Sequence, residues 1–226
     1  MWPNDVTIGK HVQISGQKNI FIDSGSTIGD HSWLNVCVQD NNIRMKIGRC
    51  VLIGRQSMVS TGGYLEIGDF CLFGPRITLS DVDHIFSDPN QPVIQQGAKL
   101  GRSIIIEENC WLGVNTVVTG NVTVGRGSVV AANSTVLKDV PPFSVVAGNP
   151  SKIVKMYNAM TMSWERTRNE EDLQRVVHIN SQVGLPSREE YRAILLKNSK
   201  ISIIEPHFGG PRTFLQDLVR NLFRKR

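Results

Sequence analysis

The chain has 226 residues, of which 40% are hydrophobic and 20% charged, enough apolar material to bury a core and too much for a compositionally disordered chain. Its net charge of +5 is uneven: Lys and Arg against Asp and Glu stand at 11 to 12 over residues 1–150 and at 14 to 8 over residues 151–226. A neutral first two-thirds and a basic tail without a recognisable nucleic-acid module argue against a nucleic-acid partner. No apolar run reaches the roughly 20 residues of a membrane span, and residues 1–5 show no basic region leading into an apolar signal segment, so a cytoplasmic protein is expected. Cys37, Cys50, Cys71 and Cys110 are widely spaced without a CxxC pair; they read as free thiols, with neither a zinc knuckle nor a disulfide framework.

Along the chain an aliphatic or aromatic residue recurs at every sixth position, first in fragments: Ile8, Ile14, Ile20; Ile22, Ile28, Leu34; Ile47, Ile53, Val59; Ile67, Phe73, Leu79. From Ile106 the series runs unbroken through Leu112, Val118, Val124 and Val130 to Val136. Glycine often follows, as at Gly29, Gly54, Gly74 and Gly113. Four positions on stands a small or β-branched residue such as Ser32, Ser57, Cys71, Cys110 or Ser134. An α-helix needs spacings of three and four and an amphipathic strand needs alternation. A period of six fits a parallel β-helix, in which each hexad supplies a short strand and a corner, so Cys71 and Cys110 are expected as core thiols.

The register slips at residues 39–46 and 60–66, read as short insertions, and breaks over residues 80–103, a polar stretch long enough to be functional. The repeat ends after Pro141-Pro142 with a segment running to Lys155. From Met156 the pattern predicts two or three helices. Ser187 and Glu190 behind Pro186 form a capping box leading into Tyr191, Ile194 and Leu195. Phe214, Leu215, Leu218, Val219, Leu222 and Phe223 make one helical face beside Arg224-Lys225-Arg226; packing on the solenoid or on a partner subunit is the plainer use of that face, and weak peripheral membrane contact the other. The expected organisation is a repeat domain over residues 1–155 with an inserted loop at 80–103, followed by a helical extension over 156–226.

Three segments carry a family resemblance: Gly74-Pro75-Arg76-Ile77-Thr78-Leu79-Ser80-Asp81-Val82-Asp83-His84; Cys110-Trp111-Leu112-Gly113; and Val136-Leu137-Lys138-Asp139-Val140-Pro141-Pro142 with Gly148-Asn149-Pro150-Ser151-Lys152-Ile153-Val154-Lys155. In that order they resemble the hexapeptide-repeat acyltransferase superfamily over roughly residues 5–155, and within it the galactoside/maltose and bacterial polysaccharide O-acetyltransferases. The resemblance implies an all-β solenoid, a left-handed parallel β-helix, assembled as a homotrimer; with the helices read from the pattern after Met156, the expected fold is that β-helix with an α-helical C-terminal extension. It implies acetyl-CoA as co-substrate, no metal, and a saccharide or sugar-nucleotide acceptor in surface polysaccharide biosynthesis. N-acylation of a nucleotide-linked amino sugar is the nearest alternative.

By the same resemblance His84 is the catalytic base. Imidazole titrates in the range needed to take a hydroxyl proton, and Asp81 or Asp83 would orient the ring. Trp111 and Gly113 would border the acetyl group and pantetheine arm, with backbone N–H groups of that corner meeting the oxyanion. Ala132 would keep space for the cofactor, and Lys138, Lys152 and Lys155 would lie near the nucleotide end of coenzyme A. A zinc-dependent carbonic anhydrase of similar fold is disfavoured because His11, His31, His84, His178 and His207 are scattered. An ice-binding solenoid is disfavoured because no Thr-x-Thr ladder recurs.

Overall fold

The computed structural model describes residues 2–199; the expected apolar face from Phe214 to Phe223 lies outside them. Three sheets dominate. Face A begins with Thr7–Ile8, Thr27–Ile28, Leu52–Ile53, Leu72–Phe73, Trp111–Leu112 and Val129–Val130. Face B holds Gln13–Ser15, Trp33–Val36, Met58–Thr61, Thr78–Ser80, Val117–Thr119 and Thr135–Val136. Face C holds Ile20–Ile22, Met45–Ile47, Tyr64–Ile67, Ser103–Ile106 and Val122–Val124. The chain visits A, B and C in rotation, and each strand pairs in parallel with the strand of the same face one circuit later. Trp111 is thus opposite Val129, three hexads further along the chain. Leu52 opposite Leu72 and Thr27 opposite Leu52 are each spaced more widely than three hexads, which accommodates the slips expected at 60–66 and 39–46.

This winding explains the period. The sixth-position residues from Ile20 to Val136 point inward into one core and are 0–3% exposed. The small fourth-position residues turn the corners, where their side chains bond to backbone: the Ser57 hydroxyl donates to the Gly54 carbonyl at 2.6 Å and that of Thr116 to the Gly113 carbonyl at 2.7 Å. Ile8 departs from the pattern at 37% exposure, since the first circuit has no strand before it to cover it. Cys71 and Cys110 are buried free thiols, and burial, reinforced by Cys110, pushes the Cys71 thiol well up.

Beyond Val130, Ser144–Gly148 joins face A in parallel, and Ser151–Asn158 and Ser163–Arg166 then complete it as antiparallel strands. A hairpin thus stands where helices are expected from Met156, because Met156 and Asn158 turn one face of the strand inward and are buried, while Lys155 and Arg166 remain outside. The strand passes through residue 155, the expected end of the repeat domain.

The loop at 80–103 contains a two-stranded antiparallel ribbon, Asp83–His84 with Ala98–Lys99, and a short helix α1 (Val93–Gln96). Helices α2 (Glu170–Val183) and α3 (Arg188–Asn198) follow the hairpin. The expected capping box is formed: Ser187 accepts from the Glu190 amide and Glu190 from the Ser187 amide.

Candidate functional site

His84 and the two acids near it leave face B at the edge shared with face C. Asp81, at the end of the face B strand, is 1% exposed. One carboxylate oxygen accepts from the Gly62 amide at 2.6 Å; the other accepts from the Thr61 hydroxyl at 2.6 Å and the Gly63 amide at 3.2 Å. It holds the turn between Met58–Thr61 and Tyr64–Ile67, and is bonded there instead of to the imidazole. Asp83 is exposed, accepts from the backbone amide of His84 at 2.9 Å, and meets Arg102 at 3.4 Å. The expectation that either acid orients the ring therefore finds no contact. The His84 side chain is exposed, and among the described residues its ring has no hydrogen-bond partner.

Face A carries the second group. Trp111 is 53% exposed on its outward side. Register places it in one row with Leu72 before it and Val129, Val145 and Lys155 after it. With adjacent strands ~4.8 Å apart, Lys155 stands about 14 Å along that row from Trp111. Gly113 turns the A/B corner immediately under Ala132, and a Cβ on Gly113 would lie 2.5 Å from the Ala132 nitrogen. Ala132 itself is exposed. Lys152 pairs with Ala147, so Gly113, Ala132, Lys152, Lys155 and Trp111 share face A and its corner. Among the described residues neither Lys152 nor Lys155 has a carboxylate partner.

The remaining expectations fall elsewhere. Lys138 is exposed on the B/C edge, between Thr135–Val136 and the bridge from Val140 to Val124. The backbone amides of Trp111 and Gly113 donate to the Ser128 and Val130 carbonyls at 2.9 and 2.8 Å. The expected oxyanion donors at this corner are thus engaged by the next circuit, as parallel pairing requires. His84 leaves the edge opposite face A, so one chain does not bring it together with Trp111.

Sequence reasoning missed the partners of α3. Arg188 bonds Glu66 and Glu108, the latter at 2.9 Å, and Arg192 bonds Asp69 at 2.7 Å. The Asn109 amide donates to the Tyr191 hydroxyl at 2.6 Å, and Tyr191 meets Phe143 edge-on. Burial alone would raise Glu66, but the Arg188 guanidinium outweighs it and holds the carboxyl below its ordinary value. Burial, with the hydrogen bond to Glu66, pushes the Tyr64 phenol up to about 12. A polar cavity of about 220 Å³ between α3 and the C/A corner is walled by these ion pairs and Lys46. Such pairs join residues up to 123 positions apart, a separation for which no local motif exists.

Residues 103–138 match a family described as bacterial transferase hexapeptide (six repeats). No curated protein matches the chain. Among solved structures, a mutant of AntD, an N-acyltransferase from Bacillus cereus in complex with dTDP and coenzyme A, is 21% identical over 76% of this chain and 90% of its own, with a TM-score of 0.55. A putative acetyltransferase from Bacillus cereus is 18% identical over 86% of this chain and 91% of its own, with a TM-score of 0.52. A hexapeptide-repeat-containing acetyltransferase from Vibrio cholerae O1 biovar eltor, complexed with acetyl coenzyme A, is 30% identical over 57% of this chain and 69% of its own, with a TM-score of 0.48. At so low an identity the two Bacillus likenesses speak to the fold alone.

Proposed function

We propose that this chain, which belongs to the bacterial hexapeptide-repeat transferase family, is an acetyl-CoA-dependent O-acetyltransferase for a saccharide hydroxyl, folded as a left-handed parallel β-helix and working as a homotrimer. The observation that carries this reading is the outward row of face A. An exposed tryptophan stands in that row, and Lys155, a cation without a carboxylate partner among the described residues, lies about 14 Å along it. A long ligand with an apolar arm and a phosphorylated end suits that row, and coenzyme A has this form.

His84 supports the trimer. It projects from the edge opposite face A of its own chain, so the base of one copy is suited to serve face A of a neighbour. There His84 takes the proton of the acceptor hydroxyl as its oxygen attacks the thioester carbonyl. The C–O bond forms, the C–S bond breaks, and the thiolate leaves with the proton returned by the imidazolium. Neither Asp81 nor Asp83 is assigned a part in this transfer. The buried Cys71 and Cys110 thiols are unsuited to act as acyl carriers.

Mass spectrometry of candidate sugars and sugar nucleotides incubated with the protein and acetyl-CoA tests the reading, with light scattering for the assembly. An added acetyl group lost in mild alkali and a trimeric mass are expected. An alkali-stable acetyl group on an amino sugar would replace O- by N-acylation, and a monomer would overturn the shared site.

A further inference from the structure

Face B differs from its neighbours in charge. The outward row of face A ends at Lys155, and on face C Lys46 lies directly opposite Glu66. The outward positions of the six face B strands, from Gln13 and Ser15 to Thr119 and Thr135, carry no charged residue, and hydroxyl and amide side chains predominate there. Such a surface offers no cation to a phosphate or a carboxylate. It suits a neutral ligand rich in hydrogen-bonding groups.

Trp33 is the one aromatic side chain in these strands. It is 38% exposed, and among the described residues its indole has neither a hydrogen-bond partner nor a ring contact. Gln13 lies opposite it on the preceding circuit and Met58 on the next. Asn35, two residues on, shares its side of the strand. The Asn35 amide donates to the Ser60 hydroxyl at 2.9 Å and to the Cys37 sulfur at 3.3 Å, which fixes the amide plane. Its carbonyl oxygen keeps no partner among the described residues and is free to accept from a ligand. The same face leads to the base. Trp33 and Thr78 are two strands apart in register, through Met58, which places them about 10 Å from one another. Thr78–Ser80 is the strand from which the loop bearing His84 departs.

We propose that face B is the acceptor surface of the transferase, where Trp33 stacks on one neutral sugar ring, Gln13 and Asn35 bond its hydroxyls, and a further sugar beyond Thr78 meets His84. A pyranose has a face of C–H groups that lies on an indole and a rim of hydroxyls that bond amides. The span from Trp33 to the His84 loop exceeds one such ring, so the acceptor is a neutral saccharide of two or more units. A sugar nucleotide fits less well, because no cation in these strands meets its phosphates. In the proposed assembly the acceptor lies on the copy that supplies the base, and the thioester on face A of its neighbour. The inference rests on the O-acetyltransferase reading and adds the size and charge of the acceptor, with Trp33 as a specificity-determining residue.

Acetyl transfer to a panel of neutral and anionic glycans, from monosaccharides to hexasaccharides and sugar nucleotides, tests the assignment. The preferred acceptor is expected to be neutral, with a KM about tenfold below that of its acetylated sugar supplied alone. Trp33→Ala should remove that advantage by raising KM for the longer acceptor about tenfold at wild-type kcat, and Trp33→Phe should recover part of it. Gln13→Ala should raise the same KM to a smaller extent, which keeps the assignment testable where Trp33→Ala fails to fold. Equal KM for the longer acceptor and the single sugar, preference for an anionic glycan or sugar nucleotide, or wild-type KM in both alanine variants overturns this inference alone. So does a changed assembly mass in Trp33→Ala by light scattering, which would place the indole against a second copy. A wild-type protein that acetylates no glycan overturns the O-acetyltransferase reading with it.

Discussion

Replacing Asp81 by alanine should destabilise the protein by about 2–4 kcal/mol. The carboxylate is buried and accepts three hydrogen bonds, from the Gly62 amide, the Gly63 amide and the Thr61 hydroxyl. Gly63 keeps a second acceptor in the Thr61 hydroxyl oxygen at 3.1 Å, so the principal loss is at the Gly62 amide and the Thr61 hydroxyl, each costing about 1–3 kcal/mol when left unpaired. Asp81→Asn should cost less, about 1–2 kcal/mol, because its remaining oxygen still accepts from one amide. The turn also backs the long loop: a Cβ on Gly62 would meet the Leu100 side chain and one on Gly63 the Arg102 carbonyl. Acetyl transfer should therefore fall along with stability. Urea denaturation at fixed protein concentration reads the first effect as a lower midpoint at unchanged m-value. Alanine and asparagine variants that unfold within about 0.5 kcal/mol of wild type would refute the role of Asp81 as the anchor of this turn.

Gly113→Val would push a Cβ to 2.5 Å from the Ala132 nitrogen and 2.9 Å from its Cα, both backbone atoms, and should lower stability by about 1–3 kcal/mol or more, seen as a reduced Tm. Arg188→Met should cost about 2–4 kcal/mol, below the range for breaking a fully buried pair because the arginine side chain is 30% exposed, while Glu108 at 6% is left uncompensated. Since Arg188 holds Glu66 below its ordinary value of 4.5, this pair contributes stability that is complete above that pH and lost as pH falls through the lowered value. The protection factors of the α3 amides, in which the intrinsic slowing of exchange in acid is divided out, should thus fall below about pH 4.5 in the wild type, and protection that does not change there would contradict the pairing.

How far the sequence can be read depends on the range of the interaction. The six-residue period is legible because winding makes every sixth side chain face the same core, and Ile106 through Val136 obey it without exception. The α3 capping box is legible because its two partners are three residues apart. Asp81 misleads because an acid three residues from a histidine looks catalytic, whereas the donors that claim it lie at Thr61–Gly63 on the preceding circuit. The Trp111 and Gly113 amides look free at a glycine corner, yet parallel pairing assigns them to Ser128 and Val130. The strands after Lys155 resemble helices in sequence because the hairpin's inward side is covered by later residues and its alternation is not plainly apolar.

The central claim is that His84, standing exposed on a loop away from its own face A, is the base for acyl transfer. Turnover of His84→Ala at saturating acetyl-CoA, measured beside calorimetric affinity for coenzyme A, tests it most directly. Turnover should fall about 10²–10⁴-fold while that affinity stays at the wild-type value. Wild-type turnover in the alanine variant would contradict the account.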